Sequence, residues 1–563
     1  MKIPYGESNF KKIITQDFLY IDKTEYIEAL EKSGSYNILL RPRRFGKSLF
    51  VSTLWHYYGI RFKHEFDALF SGLAVGRQPT PLRNSYQVLF MEFSGINIKN
   101  EETIERDFAF EVSERLRDFL KEYQYPDEAI RRVEEQSSPA SLMKAFFRVV
   151  RDQKVYLLID EYDHFANAIL GEDLELFCAI VGKGGFVRSF YETIKTATME
   201  GTVDRLFITG VTSITLDSMT SGFNIGDNLS CHPDFNQAMG FSEHETGEMI
   251  RPFVKACELD TQEVMGTLER WYNGYRFSSR ADGKIFNPDM VLYFLKHIDT
   301  EQCRFPEQML DDNIASDYGK IMRLFGVGDR EKNFQVLEEL ITEGEITGRH
   351  KGKLDLDINK PFERDDFISL LLYMGFITLC GTVLSQYRYK VPNYVVQKLY
   401  YGYFRAEIEQ RGRIRVSSHA LENAVAELAL HNNIKPLVEE IRKVLALFSN
   451  RDFMRMDEKH IKAVILTLLY QSEVYFIRSE VEMNNRYPDI LLLERNPIEV
   501  RYQFLFELKY SKKKEGAKGL EAKRAEGINQ IREYQELAEI RQLPKLKSYL
   551  LLTDGTEIEA IEI

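Results

Sequence analysis

A strand–loop–helix pattern near the N-terminus limits the possible fold more than any other part of the sequence. The apolar run Tyr36–Leu40 is followed by a loop, Arg41–Ser48, and then by a helix-like segment, Leu49–Trp55. A phosphate-binding loop requires this order of elements, because backbone N–H groups at the helix start must cradle the anion. The pattern therefore predicts a nucleotide site at the end of this strand.

The loop itself reads Arg-Pro-Arg-Arg-Phe-Gly-Lys-Ser and carries groups that suit phosphate and Mg²⁺. Lys47 is predicted to neutralise the β- and γ-phosphates of ATP, and Ser48 to ligate Mg²⁺. Arg44 and Gly46 complete the predicted cofactor-binding part of the loop. Arg41 stands where the usual pattern has its first glycine, and a bulky residue there restricts the backbone. The alternative interpretation is a solvated basic loop.

Two further apolar strands end in polar residues of the kind that a nucleotide site uses. Val155–Asp160 is followed by Glu161. Asp160 is predicted to hold the Mg²⁺ shell through water, and Glu161 to polarise the attacking water. Leu206–Gly210 places Thr209 where a group that senses the γ-phosphate would lie. These strands fit one nucleotide site at the carboxyl edge of a parallel sheet, although a continuous apolar strand is also what a purely structural role requires.

The C-terminal region contains two apolar strands that carry charged residues at fixed places. Tyr487–Leu493 includes Asp489, and Phe504–Lys509 includes Glu507 two positions before its final lysine. Side chains two positions apart on a strand share a face, so Glu507 and Lys509 are predicted to project together. Carboxylates that hold Mg²⁺ or Mn²⁺, with a positive group beside them, are what phosphodiester hydrolysis needs.

An upstream acidic residue, Glu480, is predicted to join this site. It lies on a segment that looks like a hairpin with its turn at Asn484-Asn485. Three acidic groups would then meet one lysine. Alternatively, Asp489 and Glu507 are ordinary polar residues at strand ends. Apolar residues on both faces of the second strand argue against this, because a charged pair in a buried strand needs a function.

The N-terminal loop and four later motifs together resemble the predicted AAA-ATPase family of bacterial and archaeal proteins. Members of that family share the Arg-Pro-Arg-Arg-Phe-Gly-Lys-Ser form of the loop, so the resemblance implies that the missing first glycine is a family trait. The later motifs are Ile159–Asp163, Thr209–Ile214, Ser221–Ile225 and Trp271–Phe277.

The C-terminal motifs resemble the PD-(D/E)XK nuclease superfamily, in the branch that is fused behind an AAA-type ATPase. The metal and water site that this resemblance implies consists of Glu480, Asp489, Glu507 and Lys509. Gln530 and Tyr534 match the helix that follows, where the family carries an auxiliary substrate-side residue. The same two residues are equally consistent with a partly exposed helix face.

Length and composition indicate a multidomain globular protein. The 563 residues, of which 44% are hydrophobic and 28% charged, are too many for one core. We predict an α/β protein with four regions. They are a P-loop AAA-type ATPase domain with a parallel sheet (1–235), a helical lid (236–310), a helix-rich winged-helix-like region (311–420) and an α/β restriction-endonuclease-like domain (421–563).

Charge and hydropathy bear on partners and location. A net charge of −12 disfavours a surface covered by nucleic acid. A local basic run that begins at Lys512 could still hold a phosphate backbone, or it is a solvated loop. The N-terminus lacks an apolar signal core, and the apolar runs are too short to span a bilayer. A cytoplasmic protein without a membrane partner is expected.

Together these patterns predict an ATP-binding and ATP-hydrolysing switch that is coupled to a Mg²⁺- or Mn²⁺-dependent nuclease acting on DNA or RNA. A role in defence or mobile-element biology rests on family analogy alone. The alternative is a regulatory ATPase whose C-terminal domain binds nucleic acid or a protein without cleaving it. An oligomer is compatible with either function.

Overall fold

The computed structural model describes the chain apart from residues 1, 219–223, 312–313, 315, 317–318, 320–321, 352–361, 414, 449–456 and 480–485. Glu480, the predicted turn at Asn484-Asn485 and part of the Ser221–Ile225 motif lie outside the described residues. The chain divides into two compact units. The first comprises Met1–Lys296, Asp311–Val336 and Glu345–Tyr394, and the second comprises His297–Leu310, Leu337–Gly344 and Val395–Ile563.

The first unit contains a five-stranded parallel sheet. Its strands are β1 (Tyr36–Leu40), β2 (Gln87–Glu92), β3 (Val155–Asp160), β4 (Val203–Gly210) and β5 (Asp227–Asn228). They lie in the order β2-β3-β4-β1-β5, and every neighbouring pair is parallel. β1, β3 and β4 are the strands that the apolar runs predict. Because they run in the same direction, their carboxyl ends meet at one edge of the sheet.

Helices connect these strands, as crossovers between parallel strands require. Up to residue 297 the helices are Phe10–Thr15, Glu25–Ser33, Lys47–Tyr58, Phe66–Phe70, Ala74–Arg77, Glu101–Glu122, Asp127–Glu134, Pro139–Val149, His164–Leu170, Leu174–Val181, Phe186–Met199, Ile214–Ser218, Glu243–Ala256, Thr261–Tyr272 and Pro288–His297. Short 3₁₀ segments cover Ile60–Glu65, Pro233–Phe235 and Met322–Gly326. The helix Arg330–Glu343 follows.

A three-stranded antiparallel sheet belongs to the same unit and has the order β6-β8-β7. Its strands are β6 (Glu345–Gly348), β7 (Thr378–Val383) and β8 (Gln386–Lys390). The helix Arg364–Met374 precedes β7 and ends at Gly375, whose φ of +77° is in the left-handed region. A Cβ on Gly375 would lie 2.7 Å from Cγ of Pro42, so glycine lets this helix end against the loop. This helix and the hairpin of β7 and β8 lie within residues 311–420, for which the sequence predicts a winged-helix-like region.

The second unit contains a mixed five-stranded sheet in the order β13-β12-β11-β10-β9. Its strands are β9 (Phe476–Ser479), β10 (Ile490–Leu493), β11 (Gln503–Tyr510), β12 (Leu546–Thr553) and β13 (Ile558–Glu562). Only β11 and β12 are parallel among these neighbours. The C-terminal helices are Tyr394–Gly412, Ser418–His431, Lys435–Phe448, Glu458–Leu469, Gly516–Gln535 and Ala538–Arg541, with a 3₁₀ turn at Lys513–Glu515.

Helix Gly516–Gln535 makes the crossover between the parallel strands β11 and β12 and packs on one face of the sheet. Its Ile531 and Tyr534 form a buried cluster with Leu491, Leu505 and Leu550. The predicted α/β class, with a parallel N-terminal sheet and a separate C-terminal sheet, is confirmed. Within the described residues, no helix combines the length and the apolar character that a membrane crossing needs.

Candidate active sites

The loop after β1 is held in a bent conformation that leads into the helix Lys47–Tyr58. Gly46 precedes this helix with φ +83°, and Arg44 has φ +68°. Glycine tolerates this region, whereas an arginine there needs support from its surroundings. The Arg44 guanidinium lies 3.4 Å from the carboxylate of Asp289. The bend leads into the first helical turn, whose N–H groups have no intrahelical acceptors, as at helix starts that are able to bind anions.

Phe45 anchors the middle of the loop. It is buried, and its ring packs edge-on against Tyr275 and Phe277, with ring centroids 5.0 and 5.6 Å apart. These aromatics belong to the Trp271–Phe277 motif. The packing therefore brings two motifs that are distant in sequence into contact.

Lys47 lies inside this bend and is 5% exposed. Its Nζ donates to the carbonyl oxygens of Arg41 and Pro42, at 3.2 and 3.1 Å. Burial lowers the pKa of Lys47, while the carboxylates of Glu161 and Asp160 oppose that shift. The Lys47 ammonium therefore lies at the start of the helix. A phosphate group bound there would replace the carbonyl oxygens of Arg41 and Pro42 as its partner.

Ser48 and Asp160 form the next part of this site. Asp160 ends β3, is 2% exposed and accepts a hydrogen bond from the backbone N–H of Glu161 at 2.9 Å. Burial raises the pKa of Asp160 to about 6. A hydrogen bond from the Ser48 hydroxyl acts in the opposite direction and limits this rise. A hydroxyl bonded to a carboxylate at a strand end is an oxygen pair of the kind that Mg²⁺ prefers, and the Mg²⁺ site at Ser48 and Asp160 stays a prediction.

Glu161 follows Asp160 with a left-handed backbone, at φ +47°. Its carboxylate lies 3.0 Å from Nδ1 of His164. The hydrogen bond from His164 lowers the pKa of Glu161 to about 2, and the charge of Lys47 assists. Glu161 is therefore a carboxylate at neutral pH and is able to polarise a water molecule. His164 was not predicted from the sequence. The available signal was its position three residues after Glu161, a spacing that lets two side chains meet on a helical turn.

A cavity of about 440 Å³ lies beside the loop, within the usual size range of small-molecule sites. Loop residues, Glu161 and His164 line one part of it. Apolar and polar residues from other segments line the remainder, among them Pro4, Leu19, Ile21, Met239, Met249 and Leu292. A charged end beside a largely apolar chamber suits a nucleotide, whose phosphates and base need these two environments.

Thr209 does not line this cavity. Its hydroxyl is fully buried and donates to the carbonyl oxygen of Leu39 at 2.8 Å, which ties β4 to β1. The polar group that organises the end of β4 is the buried carboxylate of Asp163, which accepts from the backbone N–H groups of Val211 and Thr212 at 3.1 and 2.6 Å. This role of Asp163 was not predicted, because the sequence does not distinguish it from the neighbouring acidic residues Asp160 and Glu161.

Arg41 is a structural residue of the first unit. It is 1% exposed, and its guanidinium donates to the carbonyl oxygens of Leu40, Ser230 and Phe235 at 2.8, 2.8 and 2.6 Å. It also lies 4.3 Å from the ring centroid of Phe277. Burial lowers its pKa to about 10. The first glycine is thus replaced by a side chain that joins β1 to the segment after β5.

Replacing Arg41 by Gly, which restores the common form of the loop, is expected to destabilise the protein by about 3 kcal/mol or more. The substitution leaves three buried carbonyl oxygens without their donor and opens a cavity. Denaturant unfolding of both proteins measures the change. Arg151→Gly, at a side chain that is 75% exposed, is the control and is expected to have a small effect. Unchanged stability of Arg41→Gly would show that the guanidinium contacts are dispensable.

In the second unit, β11 brings Glu507 and Lys509 together. They are 2% and 4% exposed, and Lys509 Nζ lies 2.8 Å from Glu507 Oε1. Lys509 also donates to the carbonyl oxygen of Leu508 at 3.1 Å. Burial opposes the charge of Lys509, but the carboxylates of Glu507, Glu458 and Asp489 together raise its pKa. The charged pair lies within a strand that is buried on both faces.

Asp489 lies at the start of β10, directly across from Glu507 in the antiparallel register set by Ile490 and Phe506. Its Oδ2 accepts from the backbone N–H of Leu508 at 2.8 Å. Burial and the charge of Asp489 raise the pKa of Glu507 to about 7. The structure therefore brings Asp489, Glu507 and Lys509 to one place.

Helix Glu458–Leu469 contributes two charged residues that sequence reasoning missed. Glu458 Oε1 lies 3.9 Å from Lys509 Nζ, and Glu458 Oε2 accepts from the backbone N–H of Tyr510 at 3.0 Å. Lys462 Nζ lies 3.4 Å from Asp489 Oδ1. The only available signal was the i, i+4 spacing of a carboxylate and a lysine, which is common on exposed helices.

Comparison with known families agrees with the geometry of both sites. Residues 4–220 match the model of the family described as predicted AAA-ATPase, and residues 456–562 match that of the PD-(D/E)XK nuclease superfamily. The chain therefore carries a predicted AAA-ATPase domain and a PD-(D/E)XK superfamily domain. Both resemblances seen in the motifs are confirmed.

Individual relatives are more distant. Over 299 residues the chain is 28% identical to an uncharacterized protein encoded in the vnfD 5′ region of Azotobacter chroococcum mcd 1; the match covers 52% of each chain. The chain thus spans about half the length of this relative. A solved Walker-type ATPase of Pyrococcus abyssi is 13% identical with a TM-score of 0.41, and the match covers 67% of this chain and 94% of that chain.

Gln530 and Tyr534 lie on helix Gly516–Gln535 of the PD-(D/E)XK domain, on the side that faces β11 and β12. Burial and the carboxylates of Glu507 and Asp489 raise the pKa of Tyr534, which keeps its hydroxyl protonated. Gln530 Oε1 is buried without a hydrogen-bond partner among the described residues. Gly527 allows the close approach of this helix, because a Cβ there would lie 3.1 Å from Cγ of Lys509.

The PD-(D/E)XK domain implies a divalent ion, and its carboxylates fit one. Glu507 Oε2 is buried without a hydrogen-bond partner in the described structure, next to Asp489. No cluster of three His, Cys, Asp or Glu side chains suited to a metal occurs among the described residues, from which Glu480 is absent. Mg²⁺ commonly takes one or two carboxylates and completes its shell with water and substrate phosphate, so this pair suffices.

The basic run after β11 is exposed. Lys512, Lys513, Lys514 and Lys518 are all exposed. Farther along, Lys523 lies 2.8 Å from Glu526 and Arg524 lies 2.8 Å from Glu559, so acidic residues partly neutralise that end. The positive charge is therefore concentrated at Lys512–Lys518, immediately after the strand that carries Glu507 and Lys509.

Proposed function

We propose that this protein is an ATP-dependent switch that controls a Mg²⁺- or Mn²⁺-dependent nuclease acting on DNA or RNA. The observation that carries the proposal is the buried pair of Glu507 and Lys509 with Asp489 directly across from it. Burying charges is costly, and a strand interior filled with apolar residues would be the more stable choice. A catalytic role explains why these charges are there.

In this proposal, Asp489 and Glu507 hold the divalent ion, which supplies an acidic bound water and positive charge for the phosphate. Lys509 holds the attacking water or neutralises the charge that develops on the phosphate. Because burial and the charge of Asp489 raise the pKa of Glu507 to about 7, this carboxyl group is partly protonated at neutral pH and would have to release its proton in order to hold the ion. Lys512–Lys518 contact the phosphate backbone of the substrate.

In the AAA-ATPase domain, the proposal assigns the phosphates of ATP to Lys47 and to the N–H groups of the first helical turn, including that of Gly46. Arg44, which lines the cavity, is assigned as an additional cation for the phosphates. Ser48 and Asp160 hold the Mg²⁺ of the nucleotide, and Glu161 polarises the attacking water. Nucleotide state then controls access to the nuclease site or its assembly.

Cleavage assays on the full-length protein test this proposal. Supercoiled plasmid DNA and a structured RNA are incubated with Mg²⁺ or Mn²⁺, in the presence of ATP, ADP or a non-hydrolysable ATP analogue. We expect cleavage of at least one substrate, none in EDTA, and a change of rate by about tenfold between nucleotide states, as is usual for coupled sites. Tight binding of labelled nucleic acid without cleavage in any state would instead support the regulatory ATPase that binds without cutting.

A further inference from the structure

Lys462 is a buried cation that the proposed chemistry does not use. It lies on helix Glu458–Leu469, is 6% exposed, and is surrounded along the helix by buried apolar residues such as Ile461 and Ile465. Its Nζ lies 3.4 Å from Asp489 Oδ1. A buried lysine costs free energy unless it is paired, so this contact indicates a specific role.

Both oxygens of Asp489 are engaged in this arrangement. Oδ1 faces the Lys462 ammonium, and Oδ2 accepts from the backbone N–H of Leu508. Lys509 pairs separately with Glu507. Each carboxylate of the proposed metal pair therefore has an ammonium group beside it, Lys462 for Asp489 and Lys509 for Glu507, and Glu458 adds a third carboxylate 3.9 Å from Lys509.

We propose that Lys462 is a positioning residue that neutralises Asp489 in the metal-free protein and that a divalent ion must displace from this carboxylate. The inference rests on the proposed function, because it takes Asp489 as a ligand. The Lys462 charge keeps the partly buried carboxylate of Asp489 stable and oriented towards β11. The same charge repels a cation at Oδ1 of Asp489 and therefore lowers the affinity of this site for a divalent ion.

Mn²⁺ binding, measured by isothermal titration calorimetry on the full-length protein without nucleotide, tests this inference. Lys462→Met removes the charge and preserves the side-chain length, and it is expected to bind Mn²⁺ about tenfold more tightly. Lys462→Arg retains the charge and is expected to bind like the wild type. Lys459→Met is the matched control, because Lys459 lies on the same helix with a side chain that is 51% exposed and pairs with Glu343.

Asp489→Ala separates a failure of this inference from a failure of the proposed function. If Asp489→Ala binds Mn²⁺ as the wild type does, Asp489 is not a metal ligand, and both the proposed metal site and the inference about Lys462 are refuted. If Asp489→Ala loses Mn²⁺ binding while Lys462→Met binds equally or more weakly than the wild type, only the role of Lys462 is wrong. Thermal unfolding in EDTA shows which variants are folded, and Lys462→Gln replaces Lys462→Met if the latter is not.

Discussion

Glu507→Gln is expected to reduce metal-dependent cleavage of nucleic acid by about 10³-fold. Glutamine has nearly the same shape as glutamate, so it fits the buried position on β11, where Glu507 is 2% exposed. It removes the negative charge that a divalent ion requires. It also deprives the Lys509 ammonium of the carboxylate oxygen that lies 2.8 Å away in the wild type. The rate of plasmid nicking or RNA cleavage in Mg²⁺ and Mn²⁺ measures the loss.

Glu499→Gln is the matched control for this experiment. Glu499 is an exposed carboxylate a few residues before β11 and lies outside the basic run Lys512–Lys518. We expect this variant to cleave at the wild-type rate. Cleavage that survives in Glu507→Gln, with a folded protein, would refute the assignment of the nuclease site to β11.

Lys47→Ala is expected to abolish ATP binding at micromolar nucleotide and to reduce ATP hydrolysis by at least about 10²-fold. The Lys47 ammonium is held by the carbonyl oxygens of Arg41 and Pro42, which are weak partners compared with phosphate oxygens. Binding of ATP would therefore draw it towards the β- and γ-phosphates. Fluorescence of a labelled ATP and release of inorganic phosphate measure the two effects.

Lys63→Ala provides the control, because Lys63 is exposed on the 3₁₀ segment Ile60–Glu65. It is expected to bind and hydrolyse ATP like the wild type. Lys47→Ala should also remove the dependence of cleavage on nucleotide without removing the divalent-ion requirement. ATP binding that persists in a folded Lys47→Ala protein would show that the cavity beside the loop is not the nucleotide site.

Several parts of both sites were predictable because they depend on short stretches of chain. β1, β3 and β4 are continuous apolar runs, and the residues at their ends follow from where the runs stop. Glu507 and Lys509 share a face because side chains alternate along a strand. The position of Asp489 across from Glu507 follows from the strand register once β10 and β11 pair.

Other parts were not predictable from local patterns. Arg41 departs from the common loop, and only the tertiary contacts with Ser230 and Phe235 show why an arginine is accommodated there. Thr209 follows an apolar run as expected, yet its hydroxyl is turned towards β1 and not towards the cavity. The direction of a side chain at a strand end depends on its neighbours in the sheet, and here the neighbouring strand is distant in sequence.

Residue order alone accounts for the chemistry that each end of the chain can perform: a phosphate-binding loop followed by acidic strand ends, and a carboxylate and a lysine two residues apart on a buried strand. Packing between distant segments decided which other charges reach these groups. Glu458 and Lys462 meet Lys509 and Asp489 only because helix Glu458–Leu469 lies against the sheet. Backbone periodicity acts over a few residues, whereas the field at a buried carboxylate is the sum over every charge that folding places nearby.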